Sequence, residues 1–329
     1  MKIAFLGDMV IDRDVKIDSE VSQFLAKAGC VIANLEGIIL DKVSSASPFK
    51  TYGSVIYNDH DAVMRLIEAV GITHVNLYNN HMIDYGEAQL ERTLEILSKA
   101  GINVLTLRSD LTFEGESILL RNSGLVETFG IYDVSQTFGQ NVNDMLLEKN
   151  PTEKWAGSII HTHFGIEQVS GLSEYESQWF DHIAQFGPRI IVRHHPHCIQ
   201  LPFQLHGVPC FPSIGDFAFN FNGKKTSKGL IVMFDVSDSS IDCRTIECNQ
   251  YQLRMGSEQV DFQTRNEPTR LTKKECSELR TRYQSEYRED GPKSFKKAIK
   301  YFLGKEKSEH VLSMSSKHFI QPYVIGELL

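Results

Sequence analysis

The chain of 329 residues has no apolar run long enough to span a bilayer. At Met1-Lys2-Ile3-Ala4-Phe5-Leu6-Gly7-Asp8 there is no charged stretch, long apolar core and small-residue cleavage site of a secretory signal. CxxC pairs are absent among Cys30, Cys198, Cys210, Cys243, Cys248 and Cys276, several of which lie in apolar runs where a thiol behaves as a small hydrophobe. Together these absences set the expectation of a cytoplasmic protein without transmembrane segments or a disulfide framework. Positive charge is not in excess either. A net charge of −8 and a pI near 5.9 argue against general nucleic-acid affinity, while leaving carboxylates available to serve a cation. No internal repeat or low-complexity tract is present.

What is present is an ordinary globular composition, 41% hydrophobic and 23% charged, long enough to bury a sizeable core. Apolar β-branched runs alternate with amphipathic stretches. Strands are expected over 2–6, 30–35, 73–77 and 103–107, and helices over 18–27, 59–70 and 87–99. Alternation of this kind, with short connections, marks a parallel sheet flanked by helices. Two strands over 117–121 and 125–131, an irregular stretch over 134–153, a strand over 158–164 and a helix over 173–186 follow. A buried strand over 189–192 and short strands over 203–205, 208–211, 229–236 and 240–248 complete an α/β domain over 1–249. The segment 38–60 is long and weakly patterned, as lids are. Beyond 250 the texture becomes charge-rich. A largely helical extension is expected there over 250–329, with helices over 271–289 and 292–303, suited to a protein partner or self-association.

Polar residues recur at the carboxyl ends of the strands: Asp8, Glu36, Asn80 with His81, His163 with Glu167, then Arg193-His194-His195-Pro196-His197. Pro196 disfavours helical geometry at His195, so His195 and His197 project from a turned or extended backbone. Each position alone has a bland reading, as a cap, a turn residue or a hydrogen-bonded histidine. Strand ends on one side of a parallel sheet converge, however. Divalent ions are held by carboxylates, neutral imidazoles and amide oxygens. Asp8, Glu36, Asn80, His163, His195 and His197 form such a donor set, with His81 as the candidate general acid.

Seven segments stand in order along the chain: Phe5-Leu6-Gly7-Asp8-Met9, Ala33-Asn34-Leu35-Glu36-Gly37, Asn79-Asn80-His81-Met82-Ile83-Asp84-Tyr85-Gly86, Ala100-Gly101-Ile102, His163-Phe164-Gly165-Ile166-Glu167, His194-His195-Pro196-His197-Cys198-Ile199-Gln200 and Pro212-Ser213-Ile214-Gly215-Asp216-Phe217-Ala218-Phe219. In these the chain resembles the CapA family of capsule and poly-γ-glutamate synthesis proteins, itself similar in fold to the calcineurin-like metallophosphoesterases. The resemblance implies a four-layer α-β-β-α sandwich of two mixed sheets. It also implies one or two divalent ions (Mn, Zn or Fe) in a pocket lined by the six ligands above. Glu167, Arg193, His194 and Asp216 are expected in the substrate-binding part, though Arg193 equally suits pairing with a neighbouring acid. Val10 stands where the phosphoesterases carry a histidine, and Asp216 where the family usually has Asn. Two functions follow from the resemblance. One is a metal-dependent hydrolase of the phosphoesterase type acting on an anionic polysaccharide- or envelope-related substrate. The other is a non-hydrolytic accessory protein of polymer biosynthesis or export that uses the pocket for binding.

Overall fold

The structure, a computed structural model, describes residues 1–40, 56–77, 79, 81–82, 84–105, 128–129, 157, 159–220, 226–249, 251–260, 270–272, 275 and 278. The expected strand over 117–121, the irregular stretch over 134–153 and nearly all of the tail fall outside them, as do residues 41–55 of the lid-like segment.

The chain forms a mixed α/β fold. Its first strand, β1 (Lys2–Ile11), is buried from Ile3 onward, as its continuous apolar run requires. A short β2 (Lys16–Ile17) leads into α1 (Ser19–Leu25), which buries Val21, Phe24 and Leu25. The strands β3 (Cys30–Leu35), β4 (Ile38–Leu40) and β5 (Tyr57–Asp59) follow, with β4 and β5 paired in parallel. Helix α2 (His60–Val70) starts where the Asp59 side chain accepts from Ala62 N at 3.0 Å, and ends at Gly71 in the left-handed conformation that glycine adopts freely. Then come β6 (His74–Asn76), α3 (Glu87–Lys99), β7 (Asn103–Leu105), β8 (Thr128–Phe129) and β9 (Ile159–His163). A reciprocal capping box between Ser173 and Glu176 opens α4 (Glu174–Ala184). The remaining strands are β10 (Ile190–His194), β11 (Ile199–Gln200), β12 (Phe203–Leu205), β13 (Val208–Phe211), β14 (Ser213–Ile214), β15 (Asp216–Asn220), β16 (Thr226–Asp235), β17 (Ile241–Asn249) and β18 (Gln252–Gln259).

The larger sheet runs β2-β18-β17-β16-β1-β3-β6-β7, with β15 paired to β1 as well. Around β1 it is parallel toward β3, β6 and β7 and antiparallel toward β16, β17 and β18. The smaller sheet runs β12-β13-β10-β9-β8. Three apolar clusters show how these elements bury their faces. Ala4, Leu6, Val31, Ala33 and Val75 of the larger sheet pack with Val21 and Phe24 of α1, Leu66 and Ile67 of α2, and Leu97 of α3. The opposite face, through Ile3, Phe5, Ile32 and Val232, meets Ile159, Ile190, Val192 and Phe211 of the smaller sheet. Ile160, Ile191 and Phe203, on the smaller sheet's other face, are covered by Trp179, Phe180 and Ile183 of α4.

Two differences from the sequence reading bear on the site. The first strand does not end at Leu6; it continues through Asp8 to Ile11, because β15 supplies a new parallel neighbour from Asp8 onward. The sheet also extends past residue 250, since β18 is antiparallel to β17 and its Leu253 joins the helix-side cluster. Further on, Leu271 N bonds to Leu172 O at 2.8 Å, and Thr272 with Glu275 makes a capping box. Among the described residues no helix is long and apolar enough to cross a membrane.

Gly7 is the residue on which the entry of β15 depends. The pairing register shifts between Leu6 and Asp8 against β3 and between Asp8 and Met9 against β15, so the strand carries a bulge here. A Cβ at Gly7 would overlap the Gly215 carbonyl oxygen and lie 2.8 Å from the Asp216 carbonyl carbon, both backbone atoms that cannot rotate away. Gly7→Ala is therefore expected to destabilise the protein by about 1–3 kcal/mol, the usual range for overpacking. Chemical denaturation checks this, and an unchanged midpoint would contradict the crowding.

Candidate metal centre

Asp8 on β1 is fully buried and contacts four imidazole-bearing residues. Its Oδ1 accepts from Asn34 Nδ2 at 2.7 Å and lies 3.3 Å from His194 Nδ1 and 3.8 Å from His163 Nδ1. Its Oδ2 accepts from the His195 backbone N at 3.2 Å and lies 3.3 Å from His197 Nδ1. Asn34, on β3, is fixed in turn by Asn76 of β6, whose Nδ2 donates to Asn34 Oδ1 at 2.8 Å. Two residues beyond Asn34, Glu36 is also fully buried, its Oε1 3.7 Å from His81 Nε2 and its Oε2 3.6 Å from His197 Nε2. Neither oxygen has a hydrogen-bond partner among the described residues.

The smaller sheet contributes the histidines. His163 ends β9, and its Nε2 lies 3.2 Å from His195 Nδ1. His194 ends β10, and the loop beyond it carries His195 at φ 96° and His197 at φ 51°. Positive φ in residues with a Cβ costs about 1–3 kcal/mol each and persists only where the surroundings impose it. The His195 N–Asp8 bond and a bond from Gln168 N to Pro196 O at 2.8 Å hold this loop. His197 Nδ1 meets Asp216 Oδ1 at 2.9 Å. Ligand atoms of Glu167, His195 and His197 lie within 4.8 Å of one another, as do those of Asp8, His197 and Asp216.

His81 follows β6 in a turn that Asn79 builds by accepting from Gly37 N at 3.0 Å and His81 N at 3.2 Å. His81 Nδ1 is 2.6 Å from Asp84 Oδ2, which also accepts from Ile56 N at 2.9 Å. The ring is thereby oriented with Nε2 toward Glu36.

The electrostatics follow from burial and from these neighbours. For Asp8, burial works against ionisation, but the imidazoles of His194 and His197 outweigh it and hold the carboxyl well below its usual range. Glu36 goes the other way: burial, reinforced by Asp8, Asp216 and Glu167, raises it well above that range despite His197. Burial alone would lower His197, yet Glu36, Asp216 and Asp8 around it raise it well above the usual histidine value. Burial keeps His163 well below that value and brings His195 down to about 4, so both are neutral near pH 7, the form that binds metals.

The structure thus brings Asp8, Glu36, His163, His195 and His197 together, with His81, Glu167 and Asp216 at their side. Asn80 lies outside the described residues. Arg193 and His194 need correction as substrate-binding residues. Arg193 is fully buried and faces α4, where it donates to Glu176 Oε1 at 2.6 Å, Gln200 Oε1 at 2.7 Å and the Pro212 carbonyl, with Phe164 and Phe180 against its guanidinium. Of its two expected roles, pairing with a neighbouring acid is the one found. His194, also fully buried, stands behind Asp8 with Nε2 2.9 Å from His161 Nε2. The sequence reading gave no role to Asn34, Asn76, Asp84 or His161. Amides within apolar strands, and a second histidine two residues before His163 and so on the same strand face, were the visible signals.

Buried carboxyl oxygens and imidazoles converging between the strand ends of a mixed α/β fold define a candidate divalent-cation centre. The chain belongs to the family described as bacterial capsule synthesis protein PGA_cap, which it matches over residues 2–221. It is 26% identical over 275 residues to the capsule biosynthesis protein CapA of Bacillus anthracis, covering 73% of this chain and 64% of that protein. It is 24% identical over 255 residues to the PGA biosynthesis protein CapA of Bacillus subtilis (strain 168), covering 71% of this chain and 67% of that one. The chain thus spans about two thirds of the length of these relatives.

Proposed function

We propose that this chain is a metal-dependent hydrolase of the phosphoesterase type, acting on an anionic polysaccharide- or envelope-related substrate in capsule or poly-γ-glutamate-type polymer biosynthesis. The observation that carries this reading is Glu36. A carboxyl group wholly removed from water, with neither oxygen hydrogen-bonded among the described residues and the His81 and His197 rings standing off at 3.7 and 3.6 Å, is well suited to a cation. Asp8, Glu36, His163, His195 and His197, with Asn80, would hold one or two divalent ions, and their oxygen and imidazole donors suit Mn, Zn or Fe. When bound, such an ion would activate water as a nucleophile near neutral pH and polarise a phosphoryl oxygen. In this reading His81, oriented by Asp84, delivers a proton from Nε2 to the leaving-group oxygen. Glu167, next to His195 and His197, lines the approach. The order of the three apolar clusters supports a helix–sheet–sheet–helix layering of the metallophosphoesterase type.

The names of the relatives, which refer to biosynthesis, favour a second reading in which the same pocket binds the polymer without cleaving it. One experiment addresses both: metal content of protein purified without added metal or chelator, then a screen of phosphomonoesters and phosphodiesters with Mn, Zn and Fe. Bound metal with chelator-sensitive turnover is expected, and His195→Ala should lose both. Metal without turnover on any ester would favour the binding role, and no metal under any supply would overturn the centre.

A further inference from the structure

We infer that Asp216 is a metal ligand, and that Asp8, His197 and Asp216 form a cation position of their own beside the one served by His163 and His195. This rests on the reading of the pocket as a divalent-cation site and goes beyond it by giving the second ion its ligands and chemical preference.

The backbone carries Asp216 to this place. Strand β15 enters alongside β1 with Asp216 paired to Asp8 in parallel register. It can do so because two glycines clear the way. The bulged Gly7 flanks the Gly215–Asp216 peptide on one side, and on the other a Cβ at Gly229 of β16 would overlap the Asp216 carbonyl oxygen. The side chain is buried with Oδ1 2.9 Å from His197 Nδ1, and Asp8 Oδ2 lies 3.3 Å from that same nitrogen. Two carboxylates therefore address one imidazole nitrogen from two strands. An imidazole nitrogen serves one metal at a time, so Nδ1 of His197, placed with Asp8 and Asp216, is not shared with the position beside His163 and His195.

Two further observations point the same way. Glu36, fully buried and with neither oxygen hydrogen-bonded among the described residues, has Oε2 3.6 Å from His197 Nε2 and so borders this position, its other oxygen lying toward His81. Val10, two residues beyond Asp8, packs with Ile56 and Phe219 and has no donor to offer. On this part of β1 and β15, the oxygen facing Asp8 comes from Asp216. Two carboxylates and one imidazole make an oxygen-rich, doubly negative set, which favours Mn²⁺ over softer ions.

Mn²⁺ alone is the probe. Equilibrium dialysis with electron paramagnetic resonance of the full chain is expected to show two bound Mn²⁺ with a spin-coupled signal. Asp216→Asn, which keeps volume and removes the charge, should lose one equivalent or weaken it by roughly 10–100-fold or more, and should abolish the coupling while the other ion stays. His163→Ala should remove the complementary equivalent. Asp216→Glu restores the carboxylate and should retain two ions, which separates ligation from a folding defect. Two ions held by Asp216→Asn with unchanged affinity and coupling would overturn the inference and leave the pocket reading intact. A single ion in the wild type, indifferent to Asp216→Asn, would do the same. No Mn²⁺ in the wild type would overturn the pocket reading itself.

Discussion

Glu36→Gln is expected to reduce divalent-cation affinity by more than roughly 100-fold while making the metal-free protein more stable at neutral pH. The affinity estimate follows from the position of the residue, since loss of an outer partner of a metal ligand alone costs about 10–100-fold. The stability expectation follows from linkage. Burial, with Asp8, Asp216 and Glu167 nearby, raises the Glu36 carboxyl in the folded state above its unfolded value. The folded protein therefore holds that proton more tightly than the unfolded chain does. The associated stability is fully present below the unfolded value and is lost as pH rises through the raised folded one. His197, whose folded value is also raised, contributes in the same direction, whereas Asp8, held low, contributes stability that is lost only in acid. Thermal unfolding of chelator-treated protein from pH 5 to 8 should show wild type declining more steeply than the Gln variant. Parallel curves would mean that Glu36 is satisfied in some other way.

His81→Ala is expected to leave metal content unchanged and to lower turnover by about 10²–10⁴-fold, the usual contribution of a positioned acid. The expectation rests on orientation. Asp84 Oδ2 takes one ring nitrogen at 2.6 Å, and the other points into the pocket 3.7 Å from Glu36 Oε1. An ester with an activated leaving group, such as a nitrophenyl ester, needs little proton assistance. The deficit of the variant should therefore shrink on such substrates and be largest on alkyl esters. A uniform deficit, or metal loss in His81→Ala, would place His81 among the ligands instead.

Much of this centre was legible because its residues break the apolar texture of buried strands. Asp8, Glu36, His163 and the His195-Pro196-His197 loop each interrupt an apolar run, and convergence of strand ends did the rest. The same logic, applied with more attention to alternation, separates Arg193 from the site. Ile190, Val192 and His194 share one face of β10, and Arg193 lies on the other, where it meets Glu176 of α4. Less could be read where a single residue has two meanings. Gly7-Asp8 resembles a turn, and nothing local reveals that β15, more than two hundred residues away, will continue the pairing. In β18 only Leu253 and Met255 alternate toward the helices, too few apolar positions to mark a strand against the polar residues around them.

The bulge at Gly7 has an effect on counting. Before it, even-numbered residues of β1, Ala4 and Leu6, turn toward the helices, and odd-numbered Ile3 and Phe5 toward the smaller sheet. After it the parity is inverted: Met9 and Ile11 turn toward the helices, and Asp8 toward the histidines. One extra residue thus resets the phase of the strand. Were the strand regular through Gly7, the carboxylate would fall in step with Leu6, inside an aliphatic layer, and the thioether of Met9 would take its place among the imidazoles.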